Sequence, residues 1–179
     1  YGTTSSGGAN GNGVIFEYDP WNDVYVDKID FYWATTGSYP FGSLVQSVNG
    51  KFYGLTSHGR EYDGNSSIFY EKSPGFLFEF DPFTGDYSVK VEFNGIDGDS
   101  PQGSLVQDSN GKLYGMTSYG GVNNLGVLFE YNPATDTYIK KIDFKGEENG
   151  GNPKGSLIQT DNGKLYGMTF SGGAYNNGV

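Results

Sequence analysis

The chain has no cysteine. Neither a disulfide framework nor a thiolate site is therefore open to it, although this leaves the compartment undecided. It has one histidine, His58, and a lone histidine makes neither a metal centre nor a catalytic triad. Positive charge is scarce. Eleven Lys and Arg stand against 21 Asp and Glu, a net charge of −10, which argues against a nucleic-acid backbone as partner. No signal peptide and no apolar run long enough to span a bilayer is present. No segment shows a helical period with caps, so no helix is expected.

What is abundant is glycine, 30 residues, and aromatic side chains, 17 % of the chain. Many tight turns joined by bulky strand residues make an all-β profile. The text also repeats. Tyr-Gly-x-Thr begins at Tyr1, Tyr53, Tyr114 and Tyr166. Gly-Ser-Leu-Val-Gln, or its Ile variant, begins at Gly42, Gly103 and Gly155. Gly-Val-Ile-Phe-Glu-Tyr-Asp-Pro at Gly13–Pro20 returns as Gly-Val-Leu-Phe-Glu-Tyr-Asn-Pro at Gly126–Pro133. A period of roughly fifty residues means one supersecondary unit per repeat.

Each repeat reads as four strands. The first is Ser43–Ser47, with copies at Ser104–Asp108 and Ser156–Thr160. An Asn-Gly hairpin signal follows at Asn49-Gly50, Asn110-Gly111 and Asn162-Gly163, since both residues tolerate positive φ. The second strand is Lys51–Ser57, Lys112–Ser118 and Lys164–Phe170. A Gly/Asn-rich loop leads to the third, Val14–Asp19, Phe76–Asp81 and Val127–Asn132. A proline turn ends it, since proline cannot donate to a ladder. The fourth is Tyr25–Phe31, Tyr87–Phe93 and Tyr138–Phe144. Period-two alternation in the third and fourth strands marks them as half-buried. Consecutive four-stranded antiparallel meanders predict β-propeller blades. On this reading residues 1–179 form part of one propeller, with repeats starting at about 1, 53, 114 and 166. Two blades are complete and two partial, so the chain is expected to be a window of a longer protein. A longer chain or other subunits would supply the remaining blades.

Lys112-Leu-Tyr-Gly, Gly120-Gly121 and the run Leu128–Tyr138 resemble the kelch order of strand, double glycine, strand, turn and aromatic. Tyr25, Tyr87 and Tyr138 stand where kelch repeats usually carry Trp. Gly155–Gln159, Asn162–Thr169, Gly172-Gly173 and Gly126–Phe129 resemble more closely the bacterial gloeo/verruco, or GloVer, repeat. That resemblance covers nearly the whole chain. It implies a large secreted or surface-associated bacterial protein of mostly unassigned function. The expectation for the segment is a non-enzymatic binding or structural module with protein or glycan as partner. The competing class is a propeller enzyme acting on polysaccharide, its catalytic residues in blades outside this segment. No catalytic set stands out within it.

Residues common to every copy are expected to serve the blade, and residues unique to one copy are the candidates for function. Glu17, Glu79 and Glu130 recur and are expected to pair across strands with Lys28, Lys90 and Lys141. The loop Gly7–Gly13 precedes a strand rather than a helix, so it is read as turns and not as a phosphate cradle. Two regions are singular. Phe31–Phe41 carries Trp33, Tyr39 and Phe41, where its counterparts Phe93–Pro101 and Phe144–Pro153 are polar. Exposed aromatics there could stack on sugar or anchor a protein. The insertion within Ser57–Gly75 carries His58, Arg60, Tyr62 and Tyr70 and reads as a contact loop. Asp97 and Asp99, in Asp97-Gly98-Asp99-Ser100, are a weak candidate for Ca²⁺. No other cofactor is expected.

Overall fold

The computed structural model of the chain describes residues 1–59 and 74–179. Its thirteen strands are β1 (Gly2–Thr4), β2 (Val14–Asp19), β3 (Val24–Asp30), β4 (Val45–Gln46), β5 (Phe52–His58), β6 (Pro74–Phe80), β7 (Tyr87–Glu92), β8 (Val106–Gln107), β9 (Leu113–Met116), β10 (Val127–Asn132), β11 (Thr137–Asp143), β12 (Ile158–Gln159) and β13 (Leu165–Tyr166). They form four antiparallel meanders in chain order: β1–β2–β3, β4–β5–β6–β7, β8–β9–β10–β11 and β12–β13. The described residues contain no helix.

The motif Tyr-Gly-x-Thr has a physical reason in each sheet. A Cβ on Gly54 would lie 2.4 Å from the Phe78 ring, and one on Gly115 would lie 2.6 Å from the Phe129 ring. The glycine makes room for the aromatic of the neighbouring strand. The threonine hydroxyl accepts the backbone N–H that opens the third strand, from Val14 to Thr4, Phe76 to Thr56 and Val127 to Thr117, at 3.1–3.2 Å. One side chain thus adds a tie between the second and third strands.

The first strand of each sheet is shorter than expected. The Ser43 N–H donates to Ser104 Oγ and the Ser104 N–H to Ser156 Oγ, each at 2.8 Å. These backbone groups reach the next sheet instead of their own ladder. The glycines before them nearly touch, for a Cβ on Gly42 would lie 2.4 Å from Gly103 O and one on Gly103 2.2 Å from Gly155 O. The Asn-Gly dipeptides sit in the hairpin turns, as expected. Only Gly50, Gly111 and Gly163 take positive φ. The turn spans Ser47 to Lys51, with Gly50 N–H on Ser47 O at 2.8 Å, and Asn49 accepts the Lys51 N–H at 3.0 Å through its side chain. A turn this long needs left-handed backbone at one residue, not two.

The core lies between consecutive sheets. Phe31 meets Phe78 at 5.5 Å and Phe93 meets Phe129 at 5.4 Å between ring centroids. Tyr53 meets Tyr131 at 6.0 Å. Three apolar clusters fill the three junctions: Ile15, Phe31, Phe78 and Phe80; then Tyr53, Leu77, Leu113 and Phe129 among others; then Met116, Phe144 and Leu157. The same positions are open at the two ends. Phe80 and Tyr131 are fully buried but their equivalent Tyr18 is 48 % exposed; Tyr53 is fully buried but Tyr166 is 51 % exposed.

Each fourth strand carries a β-bulge, and the residue it expels from register is the recurrent lysine: Lys28, Lys90 or Lys141. The expected Glu–Lys pairs form in the outer two cases, Lys28–Glu17 and Lys141–Glu130, both at 3.5 Å. In the second sheet the bulge aims Lys90 at Asp136 of the next sheet, 3.2 Å away. The nearer cation for Glu79 and Glu130 is the lysine opening the second strand, Lys51 or Lys112, at 2.8 Å. Simple parity misses this because a bulge adds a residue and re-aims the side chain. Glu130 also accepts from Tyr114 OH at 3.0 Å. The hydrogen bonds from Lys112 and Tyr114 outweigh partial burial and hold its carboxyl below the usual range, while burial and the Glu130 carboxylate push the Tyr114 hydroxyl up to about 12.

Candidate contact surface

Three linkers join the sheets: residues 31–41, 93–101 and 144–153. Each is pinned at both ends. Phe31, Phe93 and Phe144 are buried at one end, and their N–H groups bond Gly13, Gly75 and Gly126 carbonyls at 3.0–3.2 Å. Pro40, Pro101 and Pro153 are buried at the other; Ser57 Oγ donates to Pro101 O at 2.5 Å and Ser118 Oγ to Pro153 O at 2.7 Å. Between the pins, Tyr87 OH donates to Thr36 O at 2.6 Å and Tyr138 OH to Asp97 O at 2.5 Å.

The residue before each linker proline has left-handed backbone: Tyr39 at φ 54°, Ser100 at 51° and Asn152 at 52°. The sheet junction therefore demands this conformation whatever the side chain. Serine and asparagine suit it by polar contacts of their own. Ser100 Oγ bonds Asp99 at 2.7 Å, and Asn152 Nδ2 donates to Ser118 O at 3.0 Å. A bulky aromatic there is a genuine outlier. It carries a strain of about 1 kcal/mol.

Tyr39 does not use its ring to fill the core. Tyr39 is 38 % exposed, and its ring lies nearly parallel to that of Phe41, a residue 56 % exposed, with centroids 6.4 Å apart and 15° between planes. The edge of His58 meets Tyr39 at 5.4 Å. His58 is held by a two-way backbone bridge to Ser38, at 2.8 and 3.2 Å. The same bridge recurs as Asp99–Tyr119 and Gly151–Ser171, so the position of His58 belongs to the common frame rather than to the insertion. Tyr39, Phe41 and His58 thus form one aromatic shelf. Trp33 sits in the preceding turn, half-buried, with Tyr32 at 5.5 Å. Arg60, Tyr62 and Tyr70 lie outside the described residues.

The Asp97 carboxylate accepts from Asn94 Nδ2 at 2.8 Å, and that of Asp99 from Ser100 Oγ at 2.7 Å. Among the described residues no group of three or more His, Cys, Asp or Glu comes together as a metal site would require. No helix among them is long and apolar enough to cross a membrane.

Two further aromatics escape a reading that treats proline turns only as stops. Trp21 and Phe83 are 93 % and 90 % exposed. Their backbone N–H groups are tied to Asp19 and Asp81 at 2.9 Å, as Ala134 is to Asn132 at 3.0 Å. The alanine at the equivalent place shows that the turn itself needs no ring.

Residues 69–179 match the Gloeobacter/Verrucomicrobia repeat. No functionally curated protein matches the chain. A solved structure similar to it is the extracellular domain of a one-component system from B. thetaiotaomicron, at 15 % identity and a TM-score of 0.42. That similarity covers 91 % of this chain and 24 % of the other, so the chain spans about a quarter of that protein's length.

Proposed function

The chain belongs to the Gloeobacter/Verrucomicrobia repeat family, and we propose that it is a non-enzymatic binding module of a bacterial secreted or cell-surface protein. Its successive meanders serve as kelch-like blades of a β-propeller whose other blades come from a longer chain or other subunits. The linker face meets the partner, a glycan or a protein. The observation that carries this reading is Tyr39, a strained aromatic whose ring contributes to an exposed shelf while its sisters are polar. Two nearly parallel rings 6.4 Å apart present flat apolar faces. That geometry favours the face of a sugar ring over a protein side chain, because offset stacking needs flatness more than depth.

The test is binding of the full-length protein to a panel of bacterial polysaccharides, comparing wild type with Phe41→Ala. The side chain of Phe41 is more than half exposed, so the variant should fold normally. The reading expects at least one polysaccharide bound by the wild type and weakened about ten-fold by the variant. A protein partner is indicated instead if no polysaccharide binds and a protein ligand is lost with Phe41→Ala.

A further inference from the structure

Eight asparagines in the chain are each followed by glycine. The pair is chemically weak, because a glycine nitrogen has no neighbouring side chain to hinder its approach to the asparagine carboxamide. A fold protects it in two ways: hydrogen bonds that hold the carboxamide, and packing that holds the glycine. Asn49 Nδ2 donates to Tyr53 OH at 2.9 Å, and its Oδ1 accepts the Lys51 N–H at 3.0 Å. Asn94 is tied to Asp97 through both atoms, at 2.8 and 2.9 Å. Asn149 and Asn162 accept the Lys145 and Lys164 N–H groups at 2.7 and 3.1 Å.

Among the described residues, the carboxamides of Asn10, Asn12, Asn110 and Asn177 make no hydrogen bond. Backbone contacts restrain the last three pairs. A Cβ on Gly13 would lie 2.1 Å from Thr4 O, and one on Gly178 2.2 Å from Thr169 O. Asn110 and Gly111 both donate their N–H groups to Asp108, at 2.9 and 3.0 Å. Gly11 differs. A Cβ there would meet nothing within 4 Å, and its N–H reaches Gly8 O at 3.3 Å, the longest such bond among the eight glycines. The sister loop of the third sheet shows which ties are missing. Asn123, at the place of Asn10, donates Nδ2 to Phe144 O at 2.9 Å, and Asn124, at the place of Gly11, accepts the Gly120 N–H at 3.0 Å. In the fourth sheet Asn176 accepts the Gly172 N–H in the same way at 2.9 Å. The first loop has neither tie.

We propose that Asn10 is the chain's preferred site of spontaneous deamidation. The Gly11 nitrogen attacks the side-chain carbonyl carbon of Asn10. A carbon–nitrogen bond forms as the bond to Nδ2 breaks, and Nδ2 leaves as ammonia with the Gly11 amide proton. The product is a cyclic imide, which water opens at either carbonyl. Opening at the side-chain carbonyl leaves aspartate in the normal chain. Opening at the main-chain carbonyl leaves isoaspartate, its main chain rerouted through the side chain and one carbon longer. Both products are ionised at neutral pH, and both stand beside Ala9, whose N–H is held by the Asp30 carboxylate at 2.6 Å. The lengthened chain also leads into Asn12, whose carbonyl accepts the Tyr39 N–H at 3.1 Å. The reaction needs no ligand and does not rest on the reading of the aromatic shelf.

The experiment is incubation of the full-length protein at mildly alkaline pH, then proteolysis and mass spectrometry with fragment ions that separate Asn10 from Asn12. In the folded protein Asn10 should convert about ten-fold faster than Asn49 or Asn94, whose carboxamides must first break two hydrogen bonds. In concentrated urea that lead should vanish, because every pair then has the same glycine neighbour and no fold to restrain it. Gly11→Asn, which copies the third sheet, should stop the fast conversion, and thermal melting checks that the variant is folded. Conversion of Asn10 no faster than that of Asn49 or Asn94 in the folded protein overturns the proposal. So does a lead that persists in urea, or fast conversion that survives Gly11→Asn.

Discussion

Replacing Tyr39 by asparagine separates the demands of the fold from those of binding. The junction requires left-handed backbone there, as Asn152 shows at φ 52°. Asparagine removes a strain of about 1 kcal/mol. It also brings an amide placed to reach the Ser5 carbonyl of the first sheet, as Asn152 Nδ2 reaches the equivalent Ser118 O of the third at 3.0 Å. Against this, the ring contacts with Phe41 and His58 are lost, a cost of about 0.5–1 kcal/mol at a partly exposed site. The net effect on stability is between zero and about +1 kcal/mol, a rise in Tm of no more than about 4 °C for a chain of this size. Binding should fall about ten-fold, because a contact aromatic contributes about 1–3 kcal/mol. The assay is thermal melting and ligand titration on one preparation. A Tm several degrees below wild type would falsify the strain argument, and unchanged affinity would remove Tyr39 from the contact surface.

Gly115→Ala should destabilise by about 1–3 kcal/mol, since its Cβ collides with the Phe129 ring in a packed junction; chemical denaturation reads this, and a neutral result would mean the ring shifts freely. Glu130, whose carboxyl is held below the usual range by Lys112 and Tyr114, contributes stability that is complete above its unfolded pKa and is lost as pH falls through the folded one. Glu130→Gln should therefore lower stability at pH 7 and flatten the acid limb of the stability–pH curve below about pH 4.5. An unaltered acid limb would show that other carboxylates set it. Expressed by itself, the segment 1–179 should self-associate through its open end faces, and Tyr166→Lys with Met168→Lys should reduce this. Sedimentation measures it, and a monodisperse wild-type monomer would contradict the exposed-face argument.

Much of the frame was legible because it is written by local rules. Asn-Gly, Asp-Pro and period-two alternation locate hairpins and strand ends, and all the meanders pair in the expected order. Other features depend on contacts between repeats. The bulge that redirects Lys90 to Asp136 leaves no mark in the alternation, because the pattern reads the same until the partner strand is known. The shortening of the first strands follows from serine hydroxyls belonging to the next sheet. Of the candidate surface, the unusual aromatics at Tyr39 and Phe41 were visible by comparison with their polar sisters. Their union with His58 was not, since it comes from the Ser38–His58 bridge. Trp21 and Phe83 could have been found by the same comparison, applied to the turn where Ala134 stands.

The contact of Gly42 with Gly103 and of Gly103 with Gly155 has a consequence for how such arrays can vary. With backbone against backbone, the spacing from one repeat to the next is set where there is no side chain left to trim. A substituent at this seam would wedge every later repeat by the same offset, and the error would accumulate along the array. At the far ends of the strands a change stays within its own repeat. Variation is therefore cheap at the linkers and turns, where Tyr39, Trp21 and Phe83 occur, and is confined there by the geometry of the seam. The array behaves like a rigid spine with exchangeable fittings, and new specificity can be acquired without resetting the pitch.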